Sequence, residues 1–253
     1  MANLVYPLTG RGAFPSSGAG GTLDTTGTKP GGYYRSPAPN SSMSMIGRAG
    51  FLAERDNTEV SVNDYAVFLA VKWFQGFFGV TADGLWGPKT DAVVKNWQTS
   101  KGLKADGVLG PATAKAIFKN LVVKVTKEVN SAHPELATIV SGHVAWESGY
   151  DPAAVGVTTP QDLGLGQING IYHPDMSVED RLNPETALKW IANFVNANLV
   201  YFKYNVPDAV ASYNLGRGGA SSWIRDGRPD VWVNGSGNTV NVRKYIDSVL
   251  AAA

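Results

Sequence analysis

The stretch that decides the fold runs from His143 to Asn169 and reads HVAWESGYDPAAVGVTTPQDLGLGQIN. Just upstream, and into its start, apolar residues recur at the spacing of one helix face: Leu136, Ile139, Val140 and Val144. Pro134 suits the first turn of such a helix, whereas Gly149 and Pro152 are residues that end one. The pattern therefore predicts a helix over residues 134–147.

Glu147 is predicted to lie in the last turn of this helix, behind Ala145 and Trp146. The negative end of the helix dipole and the apolar neighbours both disfavour a carboxylate, so we expect its pKa to be raised. A carboxyl group that stays protonated near neutral pH is what a general acid requires. The alternative is a solvated surface glutamate without a chemical role.

Composition limits the chemistry that the chain can perform. Its 253 residues suffice for one large or two small domains, and 43% of them are apolar. The absence of cysteine excludes a disulfide framework, a thiolate metal site and a cysteine nucleophile. A net charge of +1 argues against a dedicated nucleic-acid-binding protein. No apolar run reaches the roughly 18 residues of a membrane span, and the first residues lack the pattern of a secretory signal.

Residues 1–57 are rich in Gly, Ser, Thr and Pro and poor in aliphatic residues, which is typical of a linker or a disordered tail. The alternative is a segment that docks on a partner, with its aromatic residues as anchors. Those anchors would be Tyr6, Phe14, Tyr33, Tyr34 and Phe51.

Residues 58–122 contain an internal repeat at an offset of 23 residues. TADGLWGPKT at 81–90 returns as KADGVLGPAT at 104–113, and Phe74-Gln75 returns as Trp97-Gln98. In each copy Asp-Gly predicts a tight turn and Gly-Pro predicts a helix start. With an amphipathic helix over 64–75, the pattern predicts a small three-helix domain, and residues 121–133 are expected to form a helical bridge.

This doubled turn strongly resembles the type-one peptidoglycan-binding domain. The resemblance implies that residues 58–122 bind the bacterial cell wall. The alternative is that the turns only build the fold. Asp83 and Asp106 lack the further oxygen ligands of a calcium loop, so we expect no metal there.

Four motifs in the last half of the chain resemble those of the soluble lytic transglycosylase and goose-type lysozyme family. They are ESGYDPAA at 147–154, GLGQIN at 164–169, ASYNLG at 211–216 and RKYI at 243–246. The resemblance implies a lysozyme-like catalytic domain over residues 123–253 and a mainly α protein, an α+β catalytic domain beside the three-helix one. Its helices are expected at 134–147, 184–202, 207–214 and 239–252. Gly216 to Gly219 is too glycine-rich to continue a helix. A set of aromatic residues near one helix is expected in the core, with a sugar-binding platform as the alternative: Trp190, Tyr201, Phe202 and Tyr204.

The family's chemistry, carried over, is cleavage of the bond between N-acetylmuramic acid and N-acetylglucosamine in peptidoglycan. Glu147 would protonate the glycosidic oxygen and then, as a carboxylate, accept the proton of the sugar's C6 hydroxyl. The product is a 1,6-anhydro sugar, and neither water nor a cofactor is needed. A hydrolytic lysozyme reaction stays open, with Asp162 as a possible second carboxylate.

The remaining motif residues receive roles from the resemblance, each beside a structural alternative. Ser148 would contact substrate or Glu147, or instead stabilise the turn. Gln167 and Asn214 would bind an N-acetyl group, or brace their loops. Tyr213 and Tyr245 would line the site, with Tyr245 hydrogen-bonded to Glu147, or be plain core residues. Two positions depart from the family pattern: Gly166 is often Met, and Asn169, which we assign to substrate binding, is usually Asp in goose-type lysozymes.

Two other functions compete with this one. A zinc peptidase would need ligands from His133, His143 and His173, but no HExxH pattern is present. A non-enzymatic structural phage protein that binds the wall is the second alternative. We expect a bacteriophage lysin, located in the virion or in the host cytoplasm before release, with peptidoglycan and possibly phage structural proteins as partners, and without nucleic acid or membrane binding.

Overall fold

The computed structural model describes residues 62–156, 161–235 and 237–252. The predicted anchoring segment over residues 1–57 lies outside this part of the chain. Among the described residues helices dominate and strands are short, so the mainly α prediction is confirmed. None of the described helices is both long enough and apolar enough to cross a bilayer.

The repeat region forms three helices, α1 (Val62–Phe77), α2 (Pro88–Ser100) and α3 (Pro111–Asn130). Pro88 and Pro111 open α2 and α3, as the Gly-Pro pairs predict. The helical bridge expected over 121–133 is present as the continuation of α3, which runs through it to Asn130. No glycine or proline follows Pro111 within the helix, so nothing in the sequence ends it earlier.

A buried glutamine fixes each turn of the repeat from the inside. Gln75 Nε2 donates to Asp83 Oδ1, to the Leu85 carbonyl and to Thr90 Oγ1, and its Oε1 accepts from the Gly84 N–H. The second copy repeats the whole set 23 residues later: Gln98 bonds to Asp106 Oδ1, the Val108 carbonyl, Thr113 Oγ1 and the Gly107 N–H. The polar groups of the doubled turn are thus engaged within the fold.

The rest of the chain forms the helices α4 (Glu135–Ser148), α5 (Val178–Leu182), α6 (Pro184–Tyr201), α7 (Val206–Arg225) and α8 (Val242–Ala252). Two antiparallel hairpins accompany them, β1 (Asp162–Leu163) with β2 (Ile168–Asn169), and β3 (Val231–Val233) with β4 (Thr239–Asn241). Asn183 caps α6 through two backbone N–H groups, as the Asn-Pro pair predicts.

The glycines after Leu215 interrupt α7, as their number predicts: Gly216 has non-helical backbone angles (φ 67°, ψ 163°), and a second helical segment follows to Arg225. Glycine tolerates a positive φ that other residues rarely adopt. One helix boundary differs from the prediction. The last helix begins at Val242 rather than 239, because residues 239–241 pair with β3. Tyr201 and Tyr204 are 54% and 44% exposed, so their placement in the core was also wrong.

The chain divides into two compact units. The described part of the first comprises residues 62–117 and 148–187. Its main apolar cluster joins α1 to the first hairpin and to α5, and contains Val62, Tyr65, Ala66, Phe68, Leu163 and Leu182. The second comprises 118–147 and 188–252, with a core from α4, α6, α7 and α8 that includes Leu136, Val140, Val144, Ile191, Val195, Val210, Ile246 and Val249. The domain boundaries at 57 and 122 stay predictions.

Candidate active site

Helix α4 carries Glu147 in its last turn, where the side chain is half-buried. The helix ends directly afterwards, because Gly149 and Tyr150 adopt left-handed backbone angles (φ 62° and 68°). The apolar residues of this helix are buried, and the Glu147 carboxylate meets the side chain of Tyr245 from α8. The predicted position of Glu147 at the helix end is confirmed.

Tyr245 of α8 donates its hydroxyl proton to Glu147 Oε1 at 2.7 Å. Tyr245 as a whole is 6% exposed. Burial and the negative charge of Glu147 together raise the pKa of Tyr245 well above its usual value. The hydroxyl therefore stays protonated near neutral pH. The hydrogen bond that the family resemblance implied between these two side chains is therefore present.

His143 lies one turn before Glu147 on α4 and is fully buried. Its Nδ1 lies 3.2 Å from the Tyr245 hydroxyl, and its ring stacks on Tyr213 with centroids 4.2 Å apart. Burial lowers the pKa of His143 to about 3, so the imidazole is neutral at ordinary pH. The sequence allowed His143 as a metal ligand or as a core or surface residue and did not reveal this contact; the available signal was a polar residue within an apolar helix face.

Tyr213 of α7 completes the group around Glu147 in the second unit. Its ring lies edge-on to Phe194 at 5.5 Å. Burial and the charge of Glu147 raise the pKa of Tyr213 well above its usual value. The structure thus brings Glu147, Tyr213 and Tyr245 together, whereas the next residue, Asn214, has an exposed side chain.

The backbones of α4 and α8 lie in direct contact beside Tyr245. Gly142 of α4 lies directly against the carbonyl oxygen of Val249, so that an added β-carbon would collide with it. The residues of α8 on the same face are buried, namely Val242, Tyr245, Ile246 and Val249. The missing side chain at Gly142 is what allows α8 to approach α4 so closely.

In the first unit, Ser148 is fully buried and its hydroxyl donates to the Leu165 carbonyl at 3.0 Å. Gln167 adopts a left-handed φ of 47°, and its Nε2 lies within hydrogen-bond distance of the carbonyls of Ala154 (3.3 Å) and Gly164 (3.1 Å). These contacts match the alternatives in which Ser148 stabilises a turn and Gln167 braces a loop. The hydroxyl proton of Ser148 and the amide protons of Gln167 are thus directed at carbonyl groups of the protein.

Asp162 and Asn169 are cross-strand partners in the first hairpin. Asn169 Nδ2 donates to Asp162 Oδ1 at 2.7 Å, and Asn169 Oδ1 accepts the Ile171 N–H at 2.8 Å. The buried Arg181 supports the hairpin by donating to the carbonyls of Gln161 (2.7 Å) and Ile168 (3.3 Å). Asp162 is therefore held in place by an amide, an arrangement that the sequence did not reveal.

Two family models match the chain. Residues 120–229 match the Transglycosylase SLT domain, and residues 80–117 match a putative peptidoglycan-binding domain. The chain carries a peptidoglycan-binding domain followed by an SLT transglycosylase domain. Glu147, Gln167 and Tyr213 lie within the SLT match, whereas Tyr245 lies beyond its end. No significant match was found among curated proteins or among solved structures.

The peptidoglycan-binding and SLT domains together support a peptidoglycan-degrading enzyme of the lytic transglycosylase type. Within the SLT domain, Glu147 is a carboxyl group at a helix end that receives a hydrogen bond from a tyrosine held in its protonated form. Such a carboxyl group, half-buried beside neutral groups, is suited to proton transfer.

Proposed function

We propose that the protein cleaves the β-1,4 bond between N-acetylmuramic acid and N-acetylglucosamine with Glu147 as the catalytic residue. The carboxyl group of Glu147 gives its proton to the glycosidic oxygen as the C1–O bond breaks. The resulting carboxylate takes the proton of the C6 hydroxyl, whose oxygen bonds to C1 of the same sugar. The products are a 1,6-anhydro-N-acetylmuramic end and a free 4-hydroxyl, and no water is consumed.

The hydrogen bond from Tyr245 to Glu147 within a chain that carries an SLT domain is the observation behind this assignment. We assign substrate contacts to Gln167, Asn169, Tyr213, Asn214 and Tyr245, whereas the buried Ser148 supports the turn through the Leu165 carbonyl. For Gln167 the contact uses its side-chain carbonyl, because its amide protons lie against backbone carbonyls. Asn214 is exposed and available to an acetamido group.

Mass spectrometry of the muropeptides released from purified sacculi tests the reaction. We expect products that end in 1,6-anhydro-N-acetylmuramic acid. Products with a free reducing end would show that water attacks and would favour the second candidate, a hydrolytic lysozyme reaction. Asp162 is the carboxylate to examine in that case, since Asn169 holds it in a defined orientation. Cut stem peptides with intact glycan would contradict both.

The wall-binding role is tested best on the whole chain. Helix α1 shares a buried cluster with Leu163 and Leu182, so a fragment that ends near residue 122 would expose part of that apolar face. We therefore propose a sedimentation assay with the Glu147→Gln variant, which binds without degrading the sacculi. Recovery of the protein in the supernatant would count against wall binding.

We further propose that residues 1–57 anchor the protein in a phage particle. Support comes from their Gly, Ser and Pro content and their five large aromatic residues. Deletion of residues 1–50 should abolish incorporation into virions while it leaves wall lysis by the purified protein intact. Normal incorporation of the shortened chain would contradict the proposal.

A further inference from the structure

Three side chains of the second unit form a continuous row of hydrogen-bonding groups. His143 Nδ1 lies 3.2 Å from the Tyr245 hydroxyl, and that hydroxyl lies 2.7 Å from Glu147 Oε1. A tyrosine hydroxyl has one proton to donate and accepts through its oxygen. The two contacts of Tyr245 must therefore run in the same direction along the row.

Only two arrangements satisfy this condition. In the first, His143 Nδ1–H donates to Tyr245 and Tyr245 donates to Glu147 Oε1. In the second, the protonated Glu147 donates to Tyr245, Tyr245 donates to a bare Nδ1, and the imidazole proton lies on Nε2. The choice therefore depends on which nitrogen of His143 carries the proton.

The surroundings of Nε2 favour the first arrangement. This atom is buried and has no hydrogen-bond partner among the described residues. A buried N–H without an acceptor forfeits a hydrogen bond that it makes in water, and such orphaned donors are rarer in proteins than unsatisfied acceptors. The proton therefore belongs on Nδ1, where the Tyr245 oxygen receives it.

We propose that His143 is a positioning residue that acts through Tyr245 and decides which oxygen of Glu147 carries the catalytic proton. The Nδ1–H of His143 occupies the acceptor side of Tyr245, so the tyrosine hydroxyl keeps donating its hydrogen bond to Oε1. The proton that Glu147 delivers must then be on Oε2. This inference rests on the proposed role of Glu147 as the acid.

The groups around Glu147 keep this arrangement constant with pH. They are His143 from α4, Tyr213 from α7 and Tyr245 from α8. The pKa of His143 is lowered to about 3 by burial, and burial followed by the charge of Glu147 raises the pKa of both tyrosines. Near neutral pH these three side chains therefore keep their protons fixed, and the stacking of Tyr213 on His143 holds the imidazole plane.

Nitrogen NMR of the labelled full-length protein tests the direction of the row without any activity measurement. The chain has three histidines, and His143 is assigned by the signal lost in the His143→Asn variant. We expect a neutral imidazole protonated at Nδ1 from about pH 5.5 to 8. Protonation at Nε2, or a charged ring near pH 7, would overturn the proposal.

Kinetics test the consequence. His143→Phe keeps a ring against Tyr213 but removes the donor, whereas His143→Asn keeps an N–H near the Nδ1 position. We expect His143→Phe to lower kcat about tenfold with little change in KM, and His143→Asn to stay within about threefold, as expected for one hydrogen bond. In His143→Phe the alkaline limb of the pH–rate profile should move up by about one unit, because Tyr245 is then free to accept from the protonated acid.

The double variant His143→Phe with Tyr245→Phe tests whether His143 acts through Tyr245 or supports the site independently of it. In a Tyr245→Phe background, His143→Phe should cause no further loss. The proposal would be overturned if the losses of kcat from the two substitutions multiply, or if His143→Phe and His143→Asn lose the same activity. His133→Asn is the matched control and should keep its activity unchanged.

If His143→Phe fails to fold, the NMR result decides. If Glu147→Gln keeps lytic activity, the proposed function fails, while the proton position on His143 remains measurable.

Discussion

The carbonyl oxygen of Val249 occupies the place that a β-carbon on Gly142 would need. Val249 lies one turn after Tyr245 on α8, and Gly142 lies just over one turn before Glu147 on α4. The contact between the two backbones therefore sets the distance over which Tyr245 reaches the carboxyl group. The absence of a side chain at Gly142 thus determines the geometry between Tyr245 and Glu147.

Gly142→Ala should push α8 away from α4. We expect a loss of about 3 kcal/mol in the free energy of unfolding, as for overpacking against backbone, and a fall in lytic activity. Urea-induced unfolding measures the first effect. Gly218→Ala in α7 is the control, because a β-carbon there meets nothing, and it should leave stability within about 1 kcal/mol. Equal stability of the two variants would show that the helices adapt without cost.

Glu147→Gln removes the acidic proton with little change in shape. We expect wall lysis to fall by about 1,000-fold or more, within the range for loss of a general acid. Turbidity loss of purified sacculi measures it. Glu128→Gln, an exposed glutamate on α3, is the matched control and should behave like the unaltered protein. Unchanged lysis by the Glu147 variant would show that another residue is the acid.

Gln98→Ala should destabilise the repeat strongly. The substitution leaves the Gly107 N–H and the Val108 carbonyl without their side-chain partner and opens a cavity. We expect about 3 kcal/mol of lost stability, measured by urea-induced unfolding, because several buried polar groups lose hydrogen bonds at once. Asn96→Ala, at an exposed position on the same helix, should change it by less than about 0.5 kcal/mol.

The stability of the protein should depend on pH through His143. Its pKa in the folded state is about 3, below the ordinary value of 6.5, so the unfolded chain binds the proton more readily. The contribution is complete above pH 6.5 and is lost as the pH falls toward 3. Between pH 8 and pH 5 the loss is about 2 kcal/mol.

Unfolding measured at both pH values, in the unaltered protein and in His143→Asn, isolates this contribution. The variant lacks the titrating group, so its stability should fall by about 2 kcal/mol less over the same interval. Parallel changes in the two proteins would mean that His143 is protonated in the folded state.

The parts of the fold that depend on local pattern could be predicted from the sequence. The apolar spacing before Glu147 and the glycine after it placed the acid at a helix end, and the Gly-Pro pairs placed two helix starts. The strand over 239–241 could not be read in this way, because its pairing with β3 overrides the preference of three residues. The two-residue strands β1 and β2 are too short for any periodicity to appear.

The residues of the candidate site, too, could be predicted only in part from the sequence. Tyr245 and Tyr213 were found because motifs of a known family contain them, not because their contacts can be derived from spacing. His143 touches a side chain 102 positions away, and no local pattern reports such a pairing. Its one signal was a histidine on an otherwise apolar helix face, which is equally compatible with an inert core residue.

The buried glutamines also determine how the repeat can change under mutation. Since Gln75 and Gln98 hold their turns from within, the outward positions of each copy contribute little to that task. Thr81 corresponds to Lys104 and Lys89 to Ala112, and all four are exposed. The two copies can therefore diverge in charge at these exposed positions while the glutamine, aspartate, glycine and threonine of each remain fixed, so the outer surface of the domain can change under selection while the fold stays the same.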